Sequence, residues 1–392
     1  VPRAVEQTIA RRLDGLSSSG RQAIQLASVL GERFGFDLLG AAGDGQPQSL
    51  LADLRQLVQR RFLDETARDY RFSHDIIRRV AYDSIDVPLR SRLHRRAAQA
   101  YAALQPERVA TLAYHWTQAE EWEKAADCHQ QAGDRAQQVY AHVEAVAHYG
   151  QALAALERRP EPVALAPRYE AHLAREAIYD LLGEREAQVE DLAALKALAE
   201  QLADDELQVA ELQTAKRWTE LSLRQAKYAR KTGDYPAAIA EAQAAIQSSQ
   251  VTEDPYSKAA GHLQWGIALQ LQGNYAPAQV QLEQAMVLAQ QVGAHQMEAD
   301  SLRSLVNVCI QTNDYARGRI YYEQALQICH EIGVRRGEGG TLNNLGLVCS
   351  YQGDMAGAEA NFEQALRIKR ELGDRRGENA ALQNLGLVAW NQ

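Results

Sequence analysis

At 392 residues the chain is long enough for two or three ordinary domains or for one extended array. Hydrophobic residues at 46% and charged residues at 24% exclude a disordered chain, and no stretch approaches the roughly twenty apolar residues of a membrane-spanning helix. A formal charge of -9 argues against a chain that coats nucleic acid along its whole length, and with no signal peptide at the start a cytoplasmic protein is expected.

The first hundred residues stand apart in charge. They hold sixteen arginines and no lysine against twelve acidic residues, so this part is at +4 and the remainder at -13, and the two parts are expected to have different jobs. Residues 1 to 16 read as a connecting helix from an upstream domain. "SSSGRQAIQLASVLGERFGFDLLGAAG" reads as a capped amphipathic helix, a glycine stop and a second short helix, with Ser17 to Ser19 offering the cap and Ile24, Leu26, Ala27 and Leu30 the apolar stripe. "PQSLLADLRQLVQRRFLDE" carries Leu50, Leu51, Leu54, Leu57 and Val58 at helical spacing. Two short strands, around Phe62 to Glu65 and Tyr70 to Ser73, then flank a polar turn. Three helices and a hairpin in about sixty residues describe a winged helix. Together with the two helices of "DIIRRVAYDSIDVPLRSRLHRRAAQAYAAL", it is assigned to residues 17 to 100. Arg60, Arg61, Arg78 and Arg79 raise the question of DNA, but arginine runs read first as solvated helix faces or contacts to a neighbouring domain, and DNA is not the expected partner.

Looser helical copies follow over residues 101 to 160. "AEEWEKAADCHQQAG" and "AHVEAVAHYGQAL" share a spacing of small residues, Ala125 with Ala132 and Ala145 with Ala152. His94, His115, His129, His142 and His148 are scattered over these predicted helices without metal-ligand spacing. From residue 161 to the end the pattern becomes regular. Gly233-Asp234-Tyr235, Gly273-Asn274-Tyr275, Asn313-Asp314-Tyr315 and Gly353-Asp354-Met355 keep an unbroken period of forty. Gly or Asn suits a left-handed helix end, and the Asp or Asn after it can cap the next helix, so each motif is a tight turn between two helices. A small residue follows each turn (Ala238, Ala278, Gly318, Ala358) and another lies seven residues later (Ala245, Ala285, Ala325, Ala365), on the same helix face. Stripes such as Leu302, Leu305 and Val308, or Leu342, Leu345 and Val348, mark the preceding helix, and Gly266, Gly346 and Gly386 fall where helices approach closely. Cys309 and Cys349 share one register position and, with Cys128 and Cys329, read as small buried residues.

These motifs resemble a tetratricopeptide repeat array in a longer, forty-residue variety. The resemblance implies a mainly α fold: a right-handed superhelix, or α-solenoid, preceded here by the small winged-helix domain with its one β-hairpin. Its inner surface would be lined by the first helix of each pair, a binding surface rather than a catalytic one. The candidate groove residues are Gln264, Arg303, Asn307, Asn343, Asn344, Gln383 and Asn384. Asn344 and Asn384 stand where the resemblance implies a grip on a ligand's backbone, and an amide both donates and accepts. The plainer reading of each is a solvated polar face or a bond within the repeats. The final copy, "NAALQNLGLVAW", has a first helix without a second, so Leu382, Leu385, Leu387 and Trp390 are expected to be partly uncovered and to invite another chain or further residues, self-association included. The chain is expected to be a piece of a larger protein.

"YRFSHDIIRRVAYDSI", then "LRSRLHRRAAQAYAAL", then helical repeats resembles the segment downstream of the nucleotide-binding core in signal transduction ATPases with numerous domains. In that class a His-Asp pair helps hold ADP in a closed state. His74 and Asp75 match it, although Ser73 stands where an apolar residue is usual. No Gly-x-x-x-x-Gly-Lys-Ser/Thr loop, His-Glu-x-x-His pair or nucleophile elbow occurs. The chain is therefore expected not to be an enzyme and to hold no cofactor of its own, ATP or ADP belonging to the longer protein. The expected partners are a protein or peptide, or a small-molecule inducer, in the repeat groove, and the protein's own nucleotide-binding domain. The alternative is a free-standing peptide-binding scaffold.

Overall fold

A residue with positive φ recurs at every twentieth position through the second half of the chain: Gly233, Glu253, Gly273, Gly293, Asn313, Gly333, Gly353 and Gly373. Each ends a helix by the same device. The next residue's N–H reaches back five positions to a carbonyl, as from Asp234 to Ala229 at 2.8 Å, Asp314 to Cys309 at 2.8 Å and Asp354 to Cys349 at 2.9 Å. That next residue also begins the following helix. Asp234, Asp254 and Asp354 accept the N–H of Ala237, Tyr256 and Gly357 at 3.1, 3.0 and 2.9 Å.

The computed structural model describes residues 3–158, 165–205, 211–331 and 333–391, and the chain divides into two units, residues 1–194 and 195–392. The expected boundary between residues 160 and 161 lies outside the described residues. In the second unit run α12 (Glu211–Thr232), α13 (Tyr235–Val251), α14 (Pro255–Leu271), α15 (Tyr275–Gln291), α16 (His295–Gln311), α17 (Tyr315–Glu331), α18 (Arg335–Tyr351), α19 (Met355–Glu371) and α20 (Arg375–Asn391). From α13 to α20 every helix has seventeen residues and starts twenty after the last. The forty-residue period thus resolves into two equal halves. The second turn, read in the sequence as the glycine-rich stretches 333–338 and 373–378, is a short hinge of the same kind, and helix resumes at Arg335 and Arg375.

Consecutive helices pack side by side through small residues. Ala238, Ala278, Ala358, Ala245, Ala285 and Ala365 are fully sheltered. A Cβ placed on Gly266 would lie 2.6 Å from Leu282, and one on Gly346 2.6 Å from Phe362, in each case a side chain sixteen residues further on. The glycine is a socket for the large residue of the second helix. Gly386, in the same register, meets nothing within 4 Å, and Leu382, Leu387 and Trp390 beside it are 43%, 51% and 83% exposed.

The first unit begins with α1 (Arg3–Asp14), α2 (Ser18–Leu30), β1 (Arg33–Phe34), α3 (Phe36–Ala42), α4 (Pro47–Gln59), β2 (Leu63–Glu65) and β3 (Tyr70–Phe72). Ser17 caps α2 by accepting the Gly20 N–H at 3.1 Å. The expected hairpin is present, but it is part of a three-stranded antiparallel sheet of order β1-β3-β2, because Arg33 and Phe34 pair with Arg71 and Tyr70. There follow α5 (Asp75–Asp83), α6 (Val87–Leu104), α7 (Val109–Gln118), α8 (Trp122–Gln138), α9 (His142–Arg158) and α10 (Leu165–Leu182), and α11 (Arg185–Asp205) contains the division between the units. One buried cluster runs from Ile9 through Phe34, Leu57 and Phe72 to Trp116 and Leu156, so the small sheet and the first looser helices share a core. The architecture is a mainly α solenoid with a small sheet near one end of the chain.

Two glycines of one register have opposite surroundings, which gives a paired test. Gly346→Ala forces a methyl against Phe362 and is expected to cost roughly 1–3 kcal/mol in urea unfolding. Gly386→Ala should be neutral or stabilising by up to about 1 kcal/mol, because alanine favours helix and the space is open. Glu253→Gly should also raise stability, by about 1 kcal/mol, by relieving a left-handed side-chain residue.

Candidate functional site: the first-helix face

The first helix of each pair belongs to one layer: α12 packs on α14, α14 on α16 and α18 on α20. With the socket glycine, or Val306 of α16, as origin, the residues two and three before it and one after it are Leu263, Gln264 and Ile267 on α14, Arg303, Ser304 and Asn307 on α16, Asn343, Asn344 and Leu347 on α18, and Gln383, Asn384 and Leu387 on α20. Leu263 and Ser304 are buried, and the others stand at least partly open to solvent. On α14, α18 and α20 an amide stands two before the origin and an aliphatic side chain one after it, while α16 has Ser304 and Asn307 there. The one cation in the set, Arg303, is bonded at 2.9 Å to Asp300 of its own helix.

The structure gives these residues unequal roles. Asn384 donates from Nδ2 to Oδ1 of Asn343 at 3.1 Å, and Arg230 Nε donates to Oε1 of Gln264 at 3.0 Å, so both bonds tie one first helix to the next. Asn344 is half-buried and bonded to the Tyr322 side chain of α17. Burial pushes the Tyr322 hydroxyl up to about 12, against the Asn344 bond and the nearby Arg303 charge, which both pull it down. Arg303, Tyr322 and Asn344 therefore meet across three helices. Asn307 and Gln383 are exposed. Gln264, Asn343, Asn344 and Asn384 shape the face, while Asn307, Gln383 and Arg303 are presented by it.

Reading the sequence by residue type missed Arg230, Tyr322 and the aromatic end of the layer. Tyr351, 58% exposed, stacks on Tyr315 with ring centroids 5.2 Å apart. A helical step of four from Leu347 reaches Tyr351, so the register carried that signal.

In the first unit His74 is the exposed residue before α5, with no side-chain cap bond. It lines a cavity of about 420 Å³ with Val5, Thr8, Arg12 and Ile77, between α1 and α5. Asp75 pairs at 2.9 Å with Arg78 of its own helix, and Ser73 donates to Asp64 at 2.8 Å across the hairpin. His74 and Asp75 are neighbours, but only His74 faces the cavity.

Among the described residues no group of three or more His, Cys, Asp or Glu side chains is placed to hold a metal ion. The four cysteines are free, and burial pushes the Cys309 thiol up to about 11, as for a small packed residue. No helix of the described residues is long and apolar enough to cross a membrane.

Residues 340–375 match the tetratricopeptide repeat family. No curated protein matches the sequence. Among solved structures, a signal transduction ATPase with numerous domains and a tetratricopeptide repeat sensor, from Pyrococcus horikoshii, is similar at 14% identity and a TM-score of 0.45, over 98% of this chain and 64% of that one. The chain thus spans under two thirds of that protein's length. A Rap protein complexed with competence and sporulation factor is similar at 12% identity and TM-score 0.47, over 81% of this chain and 92% of that one. Aspartyl phosphate phosphatase F from Bacillus subtilis is similar at 10% identity and TM-score 0.47, over 95% of each chain. Likenesses at these scores carry no inference about function.

The Asn343–Asn384 bond can be weighed in a double-mutant cycle. Asn343→Ala and Asn384→Ala should each cost about 1 kcal/mol in urea unfolding, and the double variant at least about 0.5 kcal/mol less than their sum. Additive costs would show that the two amides act separately.

Proposed function

We propose that the chain is a sensing region of a regulatory protein, and that the first-helix face of α14 to α20 binds an extended protein or peptide segment. The observation that carries this reading is the amide and aliphatic pair repeated on α14, α18 and α20 in a forty-residue register, with the arginine charge of α16 already answered by Asp300. Amides can meet the donors and acceptors of an extended backbone, and the aliphatic positions can take alternate side chains. The face asks for a ligand with little charge of its own. Helical repeats suit a protein-binding or sensing scaffold, since stacking produces a long exposed surface from small units.

The first unit supports the second half of the proposal. The order helix, strand, helix, helix, strand, strand with sheet order β1-β3-β2 supports reading this part as a winged helix. We assign it the role of relaying the repeats' state to a nucleotide-binding domain of a longer signalling ATPase, with His74 as the contact. A ligand could then shift the nucleotide state only by binding the two arm arrangements with different affinity.

Random peptides displayed against the chain should enrich sequences poor in charge. Asn307→Ala with Gln383→Ala should weaken a selected peptide about tenfold, or ~1.4 kcal/mol. Undiminished binding places the site elsewhere. In a longer protein with an ATPase core, His74→Ala should shorten ADP retention, and unchanged retention removes His74 from the relay.

A further inference from the structure

Three successive helices of the first unit each bury a histidine and the fourth holds one partly buried, and the histidines meet in pairs. His94 of α6 and His115 of α7 face each other at 2.9 Å between their Nδ1 atoms, and His129 of α8 and His148 of α9 at 3.0 Å. The first pair continues to Tyr82 of α5, whose hydroxyl lies 2.8 Å from His94 Nε2. The second continues to Thr117 of α7, 3.2 Å from His129 Nε2. Scattered in the sequence, they form a ladder that crosses every helix boundary from α5 to α9.

The repeat register shows how unusual these residues are. Counted as for the glycine sockets, Ala113 holds the socket position and His129, sixteen residues on, the position of the side chain that fills it. The corresponding partners are Leu282 for Gly266, Phe362 for Gly346 and Tyr149 for Gly133. His115, two residues after Ala113, stands where the other first helices bury Ala268, Val308, Val348 and Val388. His115 thus occupies a position that the first helices α14, α16, α18 and α20 fill with apolar side chains, and the position of His129, held by Leu282 and Phe362 elsewhere, is a histidine again only at His262.

Each Nδ1–Nδ1 contact has room for one proton. Thr117 donates to the Ala113 carbonyl at 2.8 Å, so its oxygen can only accept from His129. His129 then carries its hydrogen on Nε2, its Nδ1 is a bare acceptor, and His148 Nδ1 donates to it. A second proton in that contact would set two N–H groups against each other at 3.0 Å, and the first pair has the same limit at 2.9 Å. We propose that the two histidine pairs form an acid-released joint: protonation of both members breaks each contact and loosens α6 from α7 and α8 from α9, freeing the sheet-bearing part from the repeats that follow it in the first unit.

The surroundings favour the neutral, closed form. His94 faces Tyr82, Tyr114 and His115, with the Arg90 guanidinium over the Tyr82 ring, and His115 stacks on Tyr101. The carboxylate near the second pair is Glu144, 3.9 Å from His148 Nε2, with Glu107, Arg108 and Arg135 around the same cavity of about 450 Å³. A second cavity of about 490 Å³ reaches His115, Tyr82, Tyr114 and Arg78 and gives protons a route. Burial first, then the neighbouring His115 and Arg90, lowers His94 to about 3, and burial lowers His115 to about 4. Burial and then His148 lower His129 to about 4. Opened histidines regain the ordinary value near 6.5. The joint's stabilisation is therefore complete above that pH and is lost as pH falls from about 6.5 towards 4.

Hydrogen exchange of the whole chain, corrected for intrinsic rates, tests the joint. Protection of α6–α9 should fall by ~100-fold or more between about pH 6.5 and pH 4.5 relative to α13–α20, since each buried histidine adds up to about tenfold per pH unit. The comparison helices bury a single histidine, His262. Equal pH dependence in the two regions overturns the proposal, and this measurement needs no variant. His115→Val with His129→Phe, the residues the other repeats use, should flatten the α6–α9 profile; a folded variant as acid-sensitive as the parent would also overturn it.

Discussion

The structure depends on a three-residue hinge in which the N–H after a left-handed residue bonds to the carbonyl five residues back and then starts the next helix. The hinge fixes the length of every helix from α13 to α20 at seventeen residues. A helix turns about 100° per residue, so one residue more or less would rotate the next helix's apolar stripe away from its neighbour. Equal helices keep the socket glycines, the large residues that fill them and the amides of the first-helix face in one register. The hinge also explains why glycine or asparagine holds seven of the eight left-handed positions in the second half, with Glu253 the exception. In the first unit Glu120 and Tyr140 take the same conformation twenty residues apart, and the N–H groups of Glu121 and Ala141 make the same five-residue bond, so the looser helices obey the same rule without the glycine.

That difference decides how much could be read from the sequence. The forty-residue period was legible because Asp or Asn accompanies every second hinge, with Tyr after it at three of the four and Met355 at the last. Of the intervening hinges, Gly293-Ala294-His295 and Gly333-Val334-Arg335 lack the capping side chain that Asp254 and Asp374 supply to the other two, so the twenty-residue half-period is irregular in the sequence and regular in the backbone. Strand β1 has two residues and no room for alternation, and it exists because β3 offers an edge at Arg71 and Tyr70. The face residues were legible by type and register. Whether an amide is presented or already bonded was not, since Asn343 and Asn384 meet only when helices forty residues apart lie side by side. The histidines escaped for the same reason: spacings of 21 and 19 residues are not those of a ligand motif, yet they bring two imidazoles together across the connection between successive helices.

The contrast between the two kinds of helix contact has a mechanical meaning. In the second unit the sockets are filled by Leu282 and Phe362, and removing such a side chain leaves a cavity at any pH. In the first unit the contacts at His115 and His129 hold only while one nitrogen of each pair stays bare. Apolar packing is indifferent to protons, and imidazole pairing is not. The core that runs unbroken from Ile9 to Leu156 therefore joins the sheet to the first helices by contacts that solvent chemistry can alter.

A face that binds extended chain needs rigidity along its length and permissiveness across it. Rigidity comes from amides spent on the scaffold: the bonds of Gln264 to Arg230 and of Asn384 to Asn343 pin adjacent first helices, so a ligand does not have to order them. Permissiveness comes from what remains exposed. Asn307 and Gln383 can each donate and accept, which suits any backbone, and neither repels a side chain of either sign. Pairing Arg303 with Asp300 on the same helix keeps that charge from selecting an acidic ligand at a distance, since a close ion pair acts as a dipole whose field falls off within a Debye length. On the proposed reading, specificity falls to the aliphatic positions at Ile267, Leu347 and Leu387, where shape rather than charge would separate one ligand from another.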